Sequence, residues 1–429
     1  MYKLSKYNVT NTYNNITYLW NTFSGALISL DKNSVDYIDR FSRVDDKTKE
    51  FSILKNNGFI VNENIDETGL ILSHEKSSLY SLSQETMYIV VSLGLGCNYN
   101  CVYCFQNEHN GTMFMDTSTA QDVAAYICKN IENRNNLKRI NIKWFGGEPL
   151  LYMDALEIIS KEIIKTAEKR KLEYMAGIIT NGRFLNLTYI NKLKKLKVTK
   201  AQITIDGMSE NYCANKRASE EDFFSVIENV KMAASMINVT IRLNIAENNA
   251  EEAIKITDYL LTKCSLKNKI KIYFAYIKKF KLSKEEGESN YKKYVDNYLQ
   301  WLKYVVHKYG FVVAKGTYPL RKITSCGYIR TGSLCIGCNG MLFKCESCFD
   351  EKDKIIGDIW TGRYYNKVEE YYKIPADKRK NGICLKCSYL PVCMGGCVND
   401  ELNNDYEMEC KAHAKMLFTL KLAEGGILL

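Results

Sequence analysis

From Met87 onward the chain switches six times between two hydrophobic rhythms. The runs MYIVVSLGL, RINIKWF, EYMAGIIT, AQITI, NVTIRLNIA and KIKIYFAYI read as strands. Each precedes a stretch with helical spacing: TSTAQDVAAYICKNIENR, MDALEIISKEIIKTAEKR, LTYINKLKKL, EDFFSVIENVKMAASM, NAEEAIKITDYLLTK and NYKKYVDNYLQWLKYVVHKY. The first of these helices expects its cap at Thr117 or Ser118. Strict strand–helix alternation leaves few topologies, because successive parallel strands need right-handed helical crossovers. The expected class is α/β, with six strand–helix units forming an open sheet or a partial (β/α)6 barrel. Its strands are expected to be apolar on both faces, as strands buried beneath helices are.

The flanking regions differ in character. Residues 1–85 read as a small mixed α/β module. TYLWNTFSGALISLD gives strands about a turn near Ser24 and Gly25, KNSVDYIDRF and DKTKEFSILKNNG give helices, the second stopped by Gly58, and FIVNEN returns as a strand. Residues 86–314 hold the alternating units. Residues 315–429 are poor in periodicity and rich in Cys and Gly, with a final helix over roughly 410–424. A segment of that kind rarely has an apolar core of its own and usually needs metal to fold. The polar start lacks the apolar stretch of a secretory signal, and no 18-residue apolar run argues for a membrane span, so a cytoplasmic protein is expected. The net charge of +10 would suit nucleic acid, an anionic surface or an acidic peptide, but the lysines scatter over helix faces and identify no partner.

Sixteen cysteines in a reducing compartment do not read as a disulfide framework. Three lie at 97–104, ten lie between 326 and 410, and Cys128, Cys213 and Cys264 stand alone, which is the clustering expected of metal ligands. The first group, in GLGCNYNCVYCF, follows the first strand of the alternating region at its carboxyl end, where parallel α/β folds bind ligands. A dinucleotide fingerprint fails there because Tyr99 stands where the third glycine belongs. His109 could complete a Cys3His zinc site. Alternatively, three thiolates hold an iron–sulfur cluster and leave one iron free for another ligand. FGGEP ends the second strand: its glycines would let backbone approach a ligand, Glu148 would accept from an ammonium, and Pro149 fixes the exit.

The spacing C-x3-C-x2-C, with Tyr103 before the last cysteine, resembles the signature of the radical S-adenosylmethionine (SAM) enzymes. The resemblance implies that Cys97, Cys101 and Cys104 hold a [4Fe–4S] cluster whose free iron chelates SAM, and that Tyr103 packs near the adenine. It implies cleavage of SAM to a 5′-deoxyadenosyl radical that removes a hydrogen atom from the substrate. Gly146, Gly147, Glu148 and Pro149 resemble the GGEP motif that holds the cofactor's amino group. ITNGRFL and ITIDG stand where the family has TNG and S-x-DG, with Thr204 keeping the serine's hydroxyl. Arg217 or Arg242 would pair with the cofactor's carboxylate, and a surface ion pair is the plain alternative for either.

Farther on, Cys326 is followed by thirteen residues, Gly340, four residues and Cys345; then come Cys384-x2-Cys387-x5-Cys393-x3-Cys397 and, after twelve residues, Cys410. All seven cysteines match the SPASM pattern, with zinc ribbons as the chemical alternative. The resemblance implies two auxiliary [4Fe–4S] clusters, three clusters in all. Cys384, Cys387, Cys393 and Cys410 would hold the second, and Cys326, Cys345 and Cys397 the first. A fourth ligand to the first would be Cys335, Cys338 or Cys348, unless one iron stays open for a substrate thiol; the CIGC and CESC pairs could also form a small metal site of their own. Glu346 stands where sulfatase-maturing relatives carry an acidic base, and a solvent-facing glutamate is the plainer reading.

Residues 1–85 resemble the winged-helix-like module with which radical enzymes that modify ribosomally made peptides bind a leader; a cap over the barrel mouth is the other reading. The combined resemblance implies a SPASM peptide maturase that takes a precursor peptide with a leader and draws electrons from reduced ferredoxin or flavodoxin. The expected product is a cross-link such as a Cys thioether. The alternatives are a sulfatase-maturing enzyme forming formylglycine and, in another class, a zinc-dependent nucleic-acid-binding protein.

Overall fold

The computed structural model describes residues 1–30, 48–106, 113–245, 250–277, 283–310, 319–364, 366–374, 379–403, 410–425 and 427. The expected helix KNSVDYIDRF and His109 lie outside the described residues.

The chain begins with β1 (Tyr2–Leu4), β2 (Asn8–Tyr13), β3 (Ile16–Asn21), β4 (Leu27–Leu30), α1 (Lys49–Asn56), β5 (Ile60–Asn62) and α2 (Glu67–Glu85). β1 pairs antiparallel with β5, and β2-β3-β4 form a second antiparallel sheet. Gly25 takes the left-handed φ of +82° that the turn into β4 requires. Thr48 caps α1 by accepting from Phe51 N at 3.1 Å. The long α2 has no counterpart in the sequence reading, and it runs without a linker into the first strand of the main sheet.

That sheet contains β6 (Thr86–Ser92), β7 (Arg139–Phe145), β8 (Glu173–Thr180), β9 (Val198–Thr204), β10 (Asn238–Ile245) and β11 (Ile270–Tyr276). Between and after them run α3 (Thr117–Glu132), α4 (Met153–Lys169), α5 (Leu187–Lys195), α6 (Ser209–Lys216), α7 (Glu220–Ala234), α8 (Ala250–Asp258) and α9 (Lys284–Tyr309). The α3 cap is Asp116 rather than Thr117 or Ser118, accepting from Thr119 N at 2.7 Å. The strand order is β11-β10-β9-β8-β7-β6, every pair parallel, so each strand is laid beside its predecessor in one direction. This is barrel winding without closure. The free side of β6 takes β12 (Ser333–Ile336), also parallel, followed by β13 (Met341–Phe343), β14 (Gly357–Asp358) and β15 (Gly362–Arg363).

The expectation of strands apolar on both faces is overturned. One face is apolar: Ile140, Ile142, Trp144, Ala201, Ile203, Val239, Ile241 and Phe274 are buried, with Trp301 of α9 packing on Phe274 at 4.2 Å. The alternate positions carry Tyr88, Lys143, Gln202, Thr204, Arg242, Asn244 and Tyr273. These side chains meet one another: Tyr273 Oη donates to Gln202 Oε1 at 3.0 Å, and Arg242 Nε donates to Asn244 Oδ1 at 2.9 Å. An open, curved sheet leaves its inner face to a ligand, and polarity at a period of two is what such a lining needs.

The last segment adds α10 (Lys367–Tyr372), α11 (Leu390–Cys393), α12 (Val398–Leu402) and α13 (Cys410–Glu424). It shares the barrel's core through Ile336, Leu342, Phe343 and Ile356 and adds a small cluster of Ile329, Tyr372 and Val398. The N-terminal sheets rest on it: Ser388 Oγ donates to the Lys6 carbonyl at 3.0 Å, and Trp20 packs edge-on against Tyr389 and Phe418. Among the described residues, no helix is long and apolar enough to cross a membrane.

Candidate active site

The loop carrying Cys97, Cys101 and Cys104 leaves β6 and is fixed from three sides. The turn after β7 lies against it, with Gly147 N donating to Gly94 O at 2.9 Å and Glu148 N to Gly96 O at 3.0 Å. Gly146, at φ +138°, and Gly147 have no room for a Cβ: one would overlap the carbonyl of Gly94, the other those of Gly96 and Leu95. These glycines permit a close approach to the cysteine loop's backbone. Gly147→Ala is expected to displace that loop and destabilise the chain by about 1–3 kcal/mol. Urea unfolding with iron analysis checks this; wild-type values in both would refute it.

Glu148 is fully buried, and burial pushes its carboxyl up to about 7 despite the hydrogen bonds that favour the anion. Its oxygens accept from Leu150 N (2.9 Å), Thr180 Oγ1 (2.8 and 2.9 Å) and Asn181 N (2.8 Å). It thus ties the FGGEP turn to the TNG turn after β8, and a carboxylate's remaining lone pairs leave room for one more donor. Pro149 opens the short helical turn that follows. From the TNG turn, Asn181 Nδ2 donates to Asn98 Oδ1 at 2.7 Å and reaches Cys97 Sγ at 3.7 Å.

The third side is α6. Val102 N donates to Asn215 O at 2.9 Å, and Tyr103 points inward to donate its hydroxyl to Asp206 of the ITIDG run. Lys216, 2% exposed, stands 3.4 Å from the Asp206 carboxylate and donates to Tyr103 Oη at 3.3 Å. This buried cation escaped the sequence reading, as did the partner role of Asp206. The signal in the sequence was faint: a lysine and an aspartate ten positions apart around a DG turn.

The three thiols themselves are pushed up, Cys97 to about 12 and Cys104 to about 11, chiefly by burial; Cys101 is raised for the same reason, against the nearby Lys216. Cys97 and Cys104 both lie near Cys101, and three thiols on one loop are the soft donor set that an iron cluster takes.

Residues 91–260 match the radical SAM superfamily. The chain carries a radical SAM domain. It is 26% identical over 225 residues to the radical SAM cyclopropyl synthase TigE of Paramaledivibacter caminithermalis, covering 46% of this chain and 47% of TigE. It is 27% identical over 174 residues to the GTP 3′,8-cyclase of Lactiplantibacillus plantarum, covering 40% and 49%. The chain thus spans about half the length of these curated relatives. Its fold is similar to that of native anSMEcpe with bound AdoMet, with a TM-score of 0.61 at 16% identity, over 80% of this chain and 97% of that one. A second structure of that protein, with AdoMet and Cp18Cys peptide, gives a TM-score of 0.59 at 16% identity, over 80% and 98%.

A radical SAM domain implies SAM and a [4Fe–4S] cluster, which displaces the reading as a zinc-dependent nucleic-acid-binding protein. Of the two arginines, Arg242 lies on the inner face beside Thr204, its register partner on β9. Arg217 is exposed in the left-handed position that ends α6, with no side-chain partner among the described residues.

Glu346 is not the solvent-facing glutamate that the sequence favoured. It is 23% exposed, accepts from Tyr328 Oη at 2.7 Å and pairs with Lys143 Nζ at 2.9 Å. Burial alone would lower Lys143, but Glu346 beside it holds the ammonium above its usual range. Seven further cysteines fall into two neighbourhoods. Cys326 and Cys345 pack around Tyr372 and Val398, next to Cys397 at the start of α12. Cys387 lies close to Cys393, Cys393 and Cys410 both approach Tyr291, and Cys387 N donates to Cys384 O at 3.1 Å. Met394, Gly395 and Gly396 are all left-handed, a reversal that sends Cys393 and Cys397 into different neighbourhoods. Among the described residues, no three His, Cys, Asp or Glu side chains stand close enough to hold a single metal ion.

Proposed function

We propose that the protein is a radical SAM peptide maturase that takes a hydrogen atom from a ribosomally made precursor and closes a cross-link, a thioether between a Cys sulfur and a carbon. The observation that carries this reading is the polar inner face. It runs between the loop of Cys97, Cys101 and Cys104 and the neighbourhood of Cys326, Cys345 and Cys397, with Lys143, Tyr328 and Glu346 grouped along it. When bound, SAM and the loop's cluster supply a 5′-deoxyadenosyl radical, and auxiliary clusters supply an electron acceptor. Cys326, Cys345 and Cys397 hold one auxiliary cluster in this reading, and Cys384, Cys387, Cys393 and Cys410 the other. Arg242 rather than Arg217 receives the cofactor's carboxylate, because it lies inside the sheet. Glu346 takes the proton of the substrate thiol.

The N-terminal sheets bind the leader. Strand β2 sits at one edge of its sheet and is exposed at Thr10, Asn11 and Thr12, an edge that a peptide strand can extend. The electron donor is a reduced ferredoxin or flavodoxin in a cytoplasmic setting.

The test is iron and sulfide content after anaerobic reconstitution, followed by mass analysis of a Cys-containing precursor peptide. Three four-iron clusters give about twelve irons per chain, falling to about eight when Cys97, Cys101 and Cys104 are all replaced by Ala. The product peptide is lighter by one H2 and has lost its free thiol. Stoichiometric zinc with little iron would refute the reading, and formylglycine from a sulfatase peptide would favour sulfatase maturation instead.

A further inference from the structure

We propose that Cys348 is the fourth ligand of the cluster held by Cys326, Cys345 and Cys397, so that this cluster has no open iron for a substrate thiol. The assignment rests on the auxiliary-cluster reading above and deepens it.

Three cysteines of this segment lack a role in the seven-cysteine pattern, and they have different surroundings. Cys338 follows the end of β12 and points its sulfur at the Met113 carbonyl, 3.7 Å away, on the side of the barrel where Tyr152 stacks on Phe114. That is the side of the Cys97 loop, since the Tyr152 ring fills the space a Gly94 side chain would need. Cys335 lies in the middle of the sheet, its backbone paired to Val90 on one side and Phe343 on the other. It is fully buried, and its charged neighbours are Cys345, Glu346, Lys143 and Lys344, so it is the rival candidate that the experiment below sets against Cys348.

Cys348 lies elsewhere. It sits one helical turn beyond Cys345, its N–H donating to the Cys345 carbonyl at 3.3 Å, and the two sulfurs are neighbours. Its thiol also donates to Asn399 Oδ1 at 3.4 Å, and Asn399 is two residues beyond Cys397. The Cys345 neighbourhood and the Cys397 neighbourhood are thereby joined through Cys348. Tyr372, 3% exposed, lies near all four thiols: Cys345, Cys348, Cys397 and Cys326. Cys348 is itself 2% exposed, too enclosed to meet a peptide but well placed to hold a buried group. The Asn399 amide also suits a ligated sulfur. Turned over about its terminal bond, it donates an N–H to a thiolate instead of accepting from a thiol. Partners of that kind hold a metal's ligands in place.

The consequence is a division of labour. A saturated cluster accepts an electron but does not bind the substrate sulfur, which is left to the polar group around Glu346 and Lys143.

The experiment uses the full chain with Cys97, Cys101 and Cys104 replaced by Ala, reconstituted anaerobically, so that only auxiliary clusters contribute. Into this background go Cys348→Ala and, separately, Cys335→Ala. Each protein is reduced and its EPR spectrum recorded with and without a small thiol, cysteine methyl ester. The expected result is a parent spectrum and a Cys335→Ala spectrum that the thiol leaves unchanged. The Cys348→Ala spectrum shifts with added thiol, and mild oxidation yields a three-iron signal that the parent lacks. A parent spectrum that itself shifts with thiol overturns the proposal without needing any variant to fold. So does a shift confined to Cys335→Ala. Either outcome with about eight irons present overturns the Cys348 assignment and leaves the proposed function standing. A parent with almost no iron overturns both.

Discussion

Replacing Lys216 with methionine is expected to destabilise the folded chain by roughly 3–5 kcal/mol, the usual cost of removing one partner from a buried ion pair. The ammonium is 2% exposed and stands 3.4 Å from a carboxylate that is itself inaccessible. Without it, Asp206 keeps the Tyr103 hydroxyl but loses its counter-charge in a setting that cannot rehydrate it. The lysine also lies 5.4 Å from the centre of the Tyr212 ring and 5.9 Å from that of Tyr103, so its stem and charge are both enclosed by aromatic surface. Its position at the end of α6 couples the pair to the cysteine loop. Tyr103 stands between Cys101 and Cys104, and the loop backbone is bonded to Asn215 one residue before Lys216. Loss of the pair should therefore appear twice: as a lower urea midpoint, and as weaker retention of iron at the loop. Combining Lys216→Met with Asp206→Leu should recover most of the stability, because a matched apolar pair replaces a buried ion pair at little cost. A single variant within about 0.5 kcal/mol of wild type, the range of an ordinary surface change, would show that the pair is hydrated and incidental.

The sequence showed the strands but misjudged one of their faces. RINIKWF already contains the answer, since Ile140, Ile142 and Trp144 alternate with Arg139, Asn141 and Lys143. The expectation of apolar residues on both faces came from open sheets with helices on each side. A sheet that curves around a site needs only its helix-covered face apolar. The placing of Cys326 and Cys345 beside Cys397 was expected from the resemblance and not from spacing, since Cys397 lies far along the chain from both. The junction between Cys345, Cys348 and Asn399 was not legible, since it joins residues about fifty positions apart. The same holds for Lys143 and Glu346, separated by 203 positions and brought together when β12 joins β6. Helix α2 was missed for another reason. ETGLILSHEKSSLYSLSQE has no clean apolar stripe, and no breaker separates Glu85 from Thr86, so nothing marks where helix becomes strand.

Glu346→Gln is expected to lower formation of the modified peptide by about 10²–10⁴-fold, the range of a general base, while 5′-deoxyadenosine continues to form. The two readouts separate because Glu346 and the cysteine loop hold different reactants. In the proposed function the loop would hold the cofactor, whereas Glu346 lies among Tyr328, Lys143 and Cys335. Glutamine keeps the shape and an acceptor for the Tyr328 hydroxyl, but it can neither take a thiol proton nor balance the Lys143 charge. Lys143→Met tests the other half of the pair. With the ammonium gone, the carboxylate keeps Tyr328 but is no longer aimed from β7, so product should fall while the variant still cleaves SAM. Lys143→Arg should restore part of it, because a guanidinium can still reach Glu346. The comparison that decides is the ratio of 5′-deoxyadenosine to cross-linked peptide, measured on wild type and all three variants with the same peptide. A rise in that ratio for Glu346→Gln and Lys143→Met, relieved in Lys143→Arg, places the proton transfer at Glu346. A ratio that stays at the wild-type value in Glu346→Gln removes the base from this site, leaving the Lys143–Glu346 pair as a brace between β7 and the segment that carries Cys345.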